Sequence, residues 1–251
     1  MIDCIVVAGG GDGELVQQEN VINKALISIG SRPMISYVID AFRQIDHINR
    51  IIVAGPVEQL SFLKDPFRVE LIPEQGTILQ NLLAASKRLD KPSHVLVSSA
   101  DIPLISPEAV SDFIEKCLPY DYDFYYPIVS REKSEAMFPG VRRTYVSFVE
   151  GTFTGGNIFL VNSASIEPTV PKMEKFLRDR KNPLKLVSLL GPATVLKFLR
   201  KKATIPYMAE RFSALLDLKS RAVICDYPVI SFDVDKPSDL EQVKAFMGLE
   251  E

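Results

Sequence analysis

The run HVLVSSADIPL, from His94 to Leu104, restricts this chain more than any other stretch. Read as a strand, Val95 to Ser99 lacks the apolar–polar alternation of a half-solvated sheet, so it belongs to a strand covered on both faces, as in an α/β domain. Pro103 stops the strand. Ser106 and Pro107 then supply an N-cap and first-turn pair for a helix whose apolar stripe is Ala109, Val110, Phe113, Ile114 and Cys117. One carboxylate, Asp101, is thereby delivered to the carboxyl end of a central strand, where open α/β sheets bind ligands. As a bare turn residue, Asp101 would only cap backbone amides.

Composition narrows the class. The 251 residues, 47% hydrophobic, suffice for a two-sided core, and with no repeats or clear linker they read as one domain over 1–251. The formal charge of -3, from 29 basic and 32 acidic residues, carries no nucleic-acid footprint. Cys4, Cys117 and Cys225 are too scattered for a zinc site and fit reduced thiols in a cytoplasmic protein. MIDCIVVAGG is too short and wrongly charged for a signal peptide, and no apolar run nears the roughly 18 residues of a membrane span.

From the start, Asp3 to Ala8 reads as a first parallel strand running into AGGGDGE, whose glycines allow close backbone approach and whose amides could cradle phosphate. Neither the dinucleotide fingerprint nor the Walker loop is present. Lys24 precedes a loop and a helix that starts at Pro33 and repeats Met34, Val38, Ala41, Phe42 and Ile45. Arg50 to Gly55 and Val69 to Ile72 read as further strands. A helix over Thr77 to Leu89 is predicted to turn Ile78, Leu79, Leu82, Leu83 and Ser86 inward, and VISFDVDKPSDL reads as strand, turn and helix.

Five ordered segments resemble one family. VVAGG (Val6 to Gly10), Lys24 with SIGSRPMISYVIDA, EQGT (Glu74 to Thr77), SSADIPLI (Ser98 to Ile105) and FDVDKPSDL (Phe232 to Leu240) resemble the nucleotidyltransferases of the sugar-nucleotide pyrophosphorylase and molybdenum-cofactor guanylyltransferase type. The resemblance implies a three-layer α/β/α, Rossmann-like (GT-A-like) fold with a mostly parallel mixed sheet and a helical insertion near the C-terminus. It implies that Ala8, Gly9, Gly10, Gln75 and Gly76 hold the nucleotide, that Lys24 contacts the triphosphate, and that Asp101 holds Mg²⁺ or Mn²⁺ with Asp235 or Asp233. Lys24 and Asp101 would be the catalytic pair. An arginine follows the glycine loop in much of that family; here Glu14 stands nearest, which passes its task to Lys24, Arg32 or Arg142 and Arg143. The chemistry agrees, because joining two polyanions needs positioning and charge neutralisation more than proton transfer. His47 and His94 are therefore read as structural.

The acceptor half is less legible. Arg142, Arg143, Gly156 and Asn157 are the candidates for a phosphorylated acceptor, with a plain hairpin at Gly155 to Asn157 as the alternative. Residues 166–222 read as a basic helical insertion, with 13 basic residues against 5 acidic. That excess, with apolar positions such as Leu186, Val187, Leu190, Leu196 and Leu199, fits a cover for an anionic acceptor, a peripheral contact with an anionic membrane, a homodimer face or a solvated helical surface. Two other functions remain open on the same scaffold: a glycosyltransferase using a nucleotide-sugar, and a nucleotide-binding regulatory domain without catalysis.

Overall fold

The computed structural model describes residues 1–9, 13–65, 68–179, 189 and 191–249. Eleven strands lie among them: β1 (Ile2–Val7), β2 (Ser28–Ile29), β3 (Arg32–Pro33), β4 (Ile48–Gly55), β5 (Val69–Pro73), β6 (His94–Ser99), β7 (Phe124–Ser130), β8 (Val146–Phe148), β9 (Gly151–Gly155), β10 (Ile158–Asn162) and β11 (Ser220–Cys225). The helices are α1 (Glu14–Gln18), α2 (Met34–Arg43), α3 (Ile78–Ser86), α4 (Pro107–Lys116), α5 (Arg131–Met137), α6 (Ile166–Asp179), α7 (Pro192–Leu199), α8 (Ile205–Leu216) and α9 (Pro237–Phe246). Nine strands form one sheet in the order β5-β4-β1-β6-β10-β7-β9-β8, with β11 also paired to β7, while β2 and β3 form a separate ribbon.

The strand β6 is buried because it is central: β1 runs parallel on one side and β10 antiparallel on the other. Alternate side chains then enter two different cores. Cys4 and Val6 of β1, Ile51 and Val53 of β4 and Leu96 of β6 join α2 and α4 in one, whereas Ile5, Val7, Ile52, Ala54, Val95 and Val97 meet α3 and the start of α6 in the other. Those two faces make the three layers, and they explain the missing alternation. The carboxyl ends of β1, β4, β5 and β6 all emerge along one edge.

Local chemistry sets the helix after β6. The Ser106 side chain accepts the amide of Ala109 at 3.2 Å, Pro107 starts α4, and Ala109, Val110, Phe113 and Ile114 are buried. Ser106→Ala is expected to lower unfolding stability by about 1 kcal/mol in urea, with an unchanged m-value.

Three expectations change. First, α3 turns Asn81 and Ala85 fully inward while Ile78 is 59% exposed, because the polar Asn81 occupies the centre of the buried face. Second, β9 and β10 do not form a hairpin. Both lie along the same edge of β7, Ile128 opposite Gly155 and Tyr125 opposite Leu160, so Gly156 and Asn157 form an offset within one continuous path. Third, the expected strand is replaced by a 3-10 turn, Pro228–Ser231, followed from Phe232 by extended chain without strand partners. Buried Phe232 and Val234 anchor that chain, and Val234 N–H donates to the Asp101 carbonyl at 2.9 Å.

Residues 166–222 carry α6, α7 and α8, and α6 packs on α3 while α8 packs on β11 and α6. Of the basic and apolar positions counted in this segment, Arg180, Lys181, Lys185, Leu186, Val187 and Leu190 lie outside the described residues, as does Gly10 of the glycine loop.

Candidate active site

Lys24 is placed by its buried neighbour. The Asn23 side chain donates to the Ala8 carbonyl at 2.7 Å and accepts the Ala25 amide at 2.9 Å, starting the short turn Lys24–Leu26 beside the exit of β1. From there the Lys24 ammonium reaches two carboxylates, Asp101 Oδ2 at 2.6 Å and Asp235 Oδ1 at 2.5 Å. The three residues are separated by 77 and 211 positions in sequence and meet at the carboxyl end of β6.

A third carboxylate completes the cluster. Alternation in FDVD buries Phe232 and Val234 and turns Asp233 and Asp235 the other way, so that Asp101, Asp233 and Asp235 each bring an oxygen within 4.8 Å of the others. Arg143 lies 2.5 Å from Asp233 Oδ1 with its guanidinium 4.6 Å from the centre of the Phe232 ring, and its side chain is only 11% exposed. Burial raises the Asp233 carboxyl above the usual range, and neighbouring Asp235 pushes it further up against Arg143. Burial works the same way at Asp235, but there Lys24 prevails and the carboxyl is lowered. Burial opposes the Lys24 charge too, yet Asp101 and Asp235 outweigh it and raise that pKa. Asp101 Oδ1 is buried without a hydrogen-bond partner. An all-oxygen set with one orphaned carboxylate oxygen fits a hard divalent cation such as Mg²⁺ or Mn²⁺.

The nucleotide candidates lie on the neighbouring loops, which meet at Asn81. Its Oδ1 accepts the Gln75 amide at 2.6 Å, and its Nδ2 lies so close to Gly9 that an added Cβ would stand 2.3 Å away. Gly76 has φ +94°, which a side chain would strain, and the Gln75 side-chain amide turns back to the Pro73 carbonyl at 2.9 Å. Asn23 and Asn81 were missed as site residues. A polar Asn81 inside the apolar run ILQNLLAA was the available signal. Gly9→Ala is expected to shift Asn81 and weaken nucleoside triphosphate binding about tenfold by calorimetry, with little change in melting temperature.

The remaining candidates are distributed differently. Gly156 is buried, and a Cβ there would stand 2.6 Å from Ile230 Cγ2, so its smallness serves packing. The Asn157 main chain is likewise used, donating to the Ile230 carbonyl and accepting from the Ser99 amide. Arg142 is exposed at a shallow hollow shared with Lys236, Ser238 and Gln242. Arg32 pairs with Asp40, and Glu14 with Gln18. His94 bonds the Tyr122 carbonyl and stacks on Tyr120. A groove of about 770 Å³ lies beside β5 and α3, lined by Leu71, Pro73, Gln75, Leu83, Lys87 and others, away from Lys24 and the aspartates.

The sheet thus presents three aspartates and a lysine at its carboxyl edge, the place where open α/β sheets bind ligands. The chain belongs to the MobA-like NTP transferase family, whose domain model matches residues 4–183. It is similar to the structure of a hypothetical transferase from Thermus thermophilus, with 32% identity, TM-score 0.84, and coverage of 95% of this chain and 99% of that one. The fold is shared with a 4-diphosphocytidyl-2C-methyl-D-erythritol synthase from Anaerococcus prevotii at 13% identity and TM-score 0.59, covering 98% of each chain. It is shared also with a CMP:2-keto-3-deoxy-manno-octonic acid synthetase in complex with CTP, at 13% identity and TM-score 0.60, covering all of both chains. No curated protein matches the sequence. Among the described residues no helix is long and apolar enough to cross a membrane.

Proposed function

We propose that the protein transfers a nucleoside monophosphate from a nucleoside triphosphate to a phosphorylated small-molecule acceptor. An acceptor phosphate oxygen attacks the α-phosphorus in line, the bond to the β-phosphate oxygen breaks, and pyrophosphate leaves. The observation that carries this reading is the convergence of Lys24, Asp101 and Asp235 at the carboxyl end of β6. Ala8, Gly9, Gly10, Gln75 and Gly76 form the nucleotide side, and Lys24 neutralises charge on the leaving phosphates. Asp101 and Asp235 would hold Mg²⁺ or Mn²⁺, which when bound supplies neutralisation of the phosphate oxygens. Arg143 keeps Asp233 engaged, which favours Asp235 as the partner of Asp101.

Arg142 and the basic segment 166–222 are the groups we assign to the anionic acceptor. The buried, free thiols of Cys4, Cys117 and Cys225 are in keeping with a cytoplasmic setting; burial pushes Cys225 up to about 12 and leaves it unreactive. The four nucleoside triphosphates should be offered with Mg²⁺ and a broad set of sugar and polyol phosphates. Pyrophosphate equal to acceptor consumed is the expected result. Release of nucleoside diphosphate from a nucleotide-sugar would mark a glycosyltransferase instead.

A further inference from the structure

We infer that Lys24 closes the Asp101–Asp235 pair in the absence of nucleotide and opens it by moving to the triphosphate, so that the divalent cation binds with the nucleotide rather than before it. This rests on the proposed function above. The Lys24 ammonium does not merely approach the carboxylates; at 2.6 Å and 2.5 Å it bridges them, donating to one oxygen of each. Its backbone is fixed by Asn23, whereas its side chain is long and flexible enough to turn between two anionic partners.

Charge balance makes the two occupancies alternatives. Asp101, Asp233 and Asp235 face Lys24 and Arg143, which leaves one uncompensated negative charge. A dication added beside Lys24 would reverse the sign of the cluster and stand against an ammonium at close range. With Lys24 withdrawn, the same dication balances the cluster, and the triphosphate offers Lys24 more negative charge than it gives up. Arg143 has no such choice, since it is held between Asp233 and the face of Phe232.

Mn²⁺ titrations of the nucleotide-free full chain, read by electron paramagnetic resonance of the free ion, test this without any turnover. Lys24→Met and Lys24→Gln are both expected to bind Mn²⁺ roughly tenfold tighter than the parent protein, and Lys24→Arg, which keeps the charge, to bind it as weakly as the parent. Asp101→Asn should remove binding in every background. Equal or weaker Mn²⁺ affinity in both neutral variants, with binding still abolished by Asp101→Asn, would overturn the exchange while leaving the cation site in place. Absence of Mn²⁺ binding in every protein at millimolar concentration would overturn both.

Discussion

Asp101→Asn is expected to lower pyrophosphate release about a thousandfold or more while the protein melts within a few degrees of its parent. Loss of cation-assisted charge neutralisation is worth several kcal/mol, and each 1.4 kcal/mol or so is tenfold in rate. Folding should survive because, although the variant weakens the side-chain pair with Lys24, the Asp101 carbonyl still accepts the Val234 amide whatever the side chain. Asparagine also has nearly the shape of aspartate and removes a like charge from beside Asp235 and Asp233. A variant that kept parental turnover would remove Asp101 from the reaction. A variant that unfolded would make it a structural residue.

The second large effect is on stability and reaches the site through packing. Phe232 is fully buried, its ring 4.5 Å from that of Phe138 and beneath the guanidinium of Arg143. Phe232→Ala should cost about 3–5 kcal/mol in denaturant unfolding, the range for a truncated core aromatic. It also frees Arg143 and the extended Asp233 to Asp235 segment, so catalytic rate should fall further than at other core positions. Phe113→Ala, on the buried face of α4 rather than beneath Arg143, is the comparison: a similar loss of stability with a smaller loss of rate. Equal rate losses in the two variants would show that the site does not depend on this packing.

What could be read in the sequence followed the range of the interactions involved. The Ser106 cap and the stripe of α4 depend on neighbours within one or two helical turns, and the unbroken burial of β6 needs only a sheet with two covered faces; the strand itself ends at Ser99, before Pro103. Lys24, Asp101 and the FDVD aspartates were legible as candidates because each ends or follows a strongly patterned segment and because five ordered segments resemble a family. The pairing of Arg143 with Asp233 was not, since it joins residues 90 positions apart through a loop without periodicity. The path from β9 to β10 stayed open between two readings for the same reason: glycines at Gly155 and Gly156 look like a turn locally, and only the edge of β7 makes them an offset within a strand path. On α3 the apolar pattern misled, because the buried face is centred on an asparagine that accepts the Gln75 amide.

The account stands most directly on where the nucleotide goes. A crystal structure of the protein with Mn²⁺ and an α,β-non-hydrolysable nucleoside triphosphate, read by anomalous scattering, locates both at once. The triphosphate against Lys24, with Mn²⁺ on Asp101 and Asp235, is the predicted result. A nucleotide seated instead in the groove beside β5 and α3, with Lys24 still bridging the two aspartates, would contradict it.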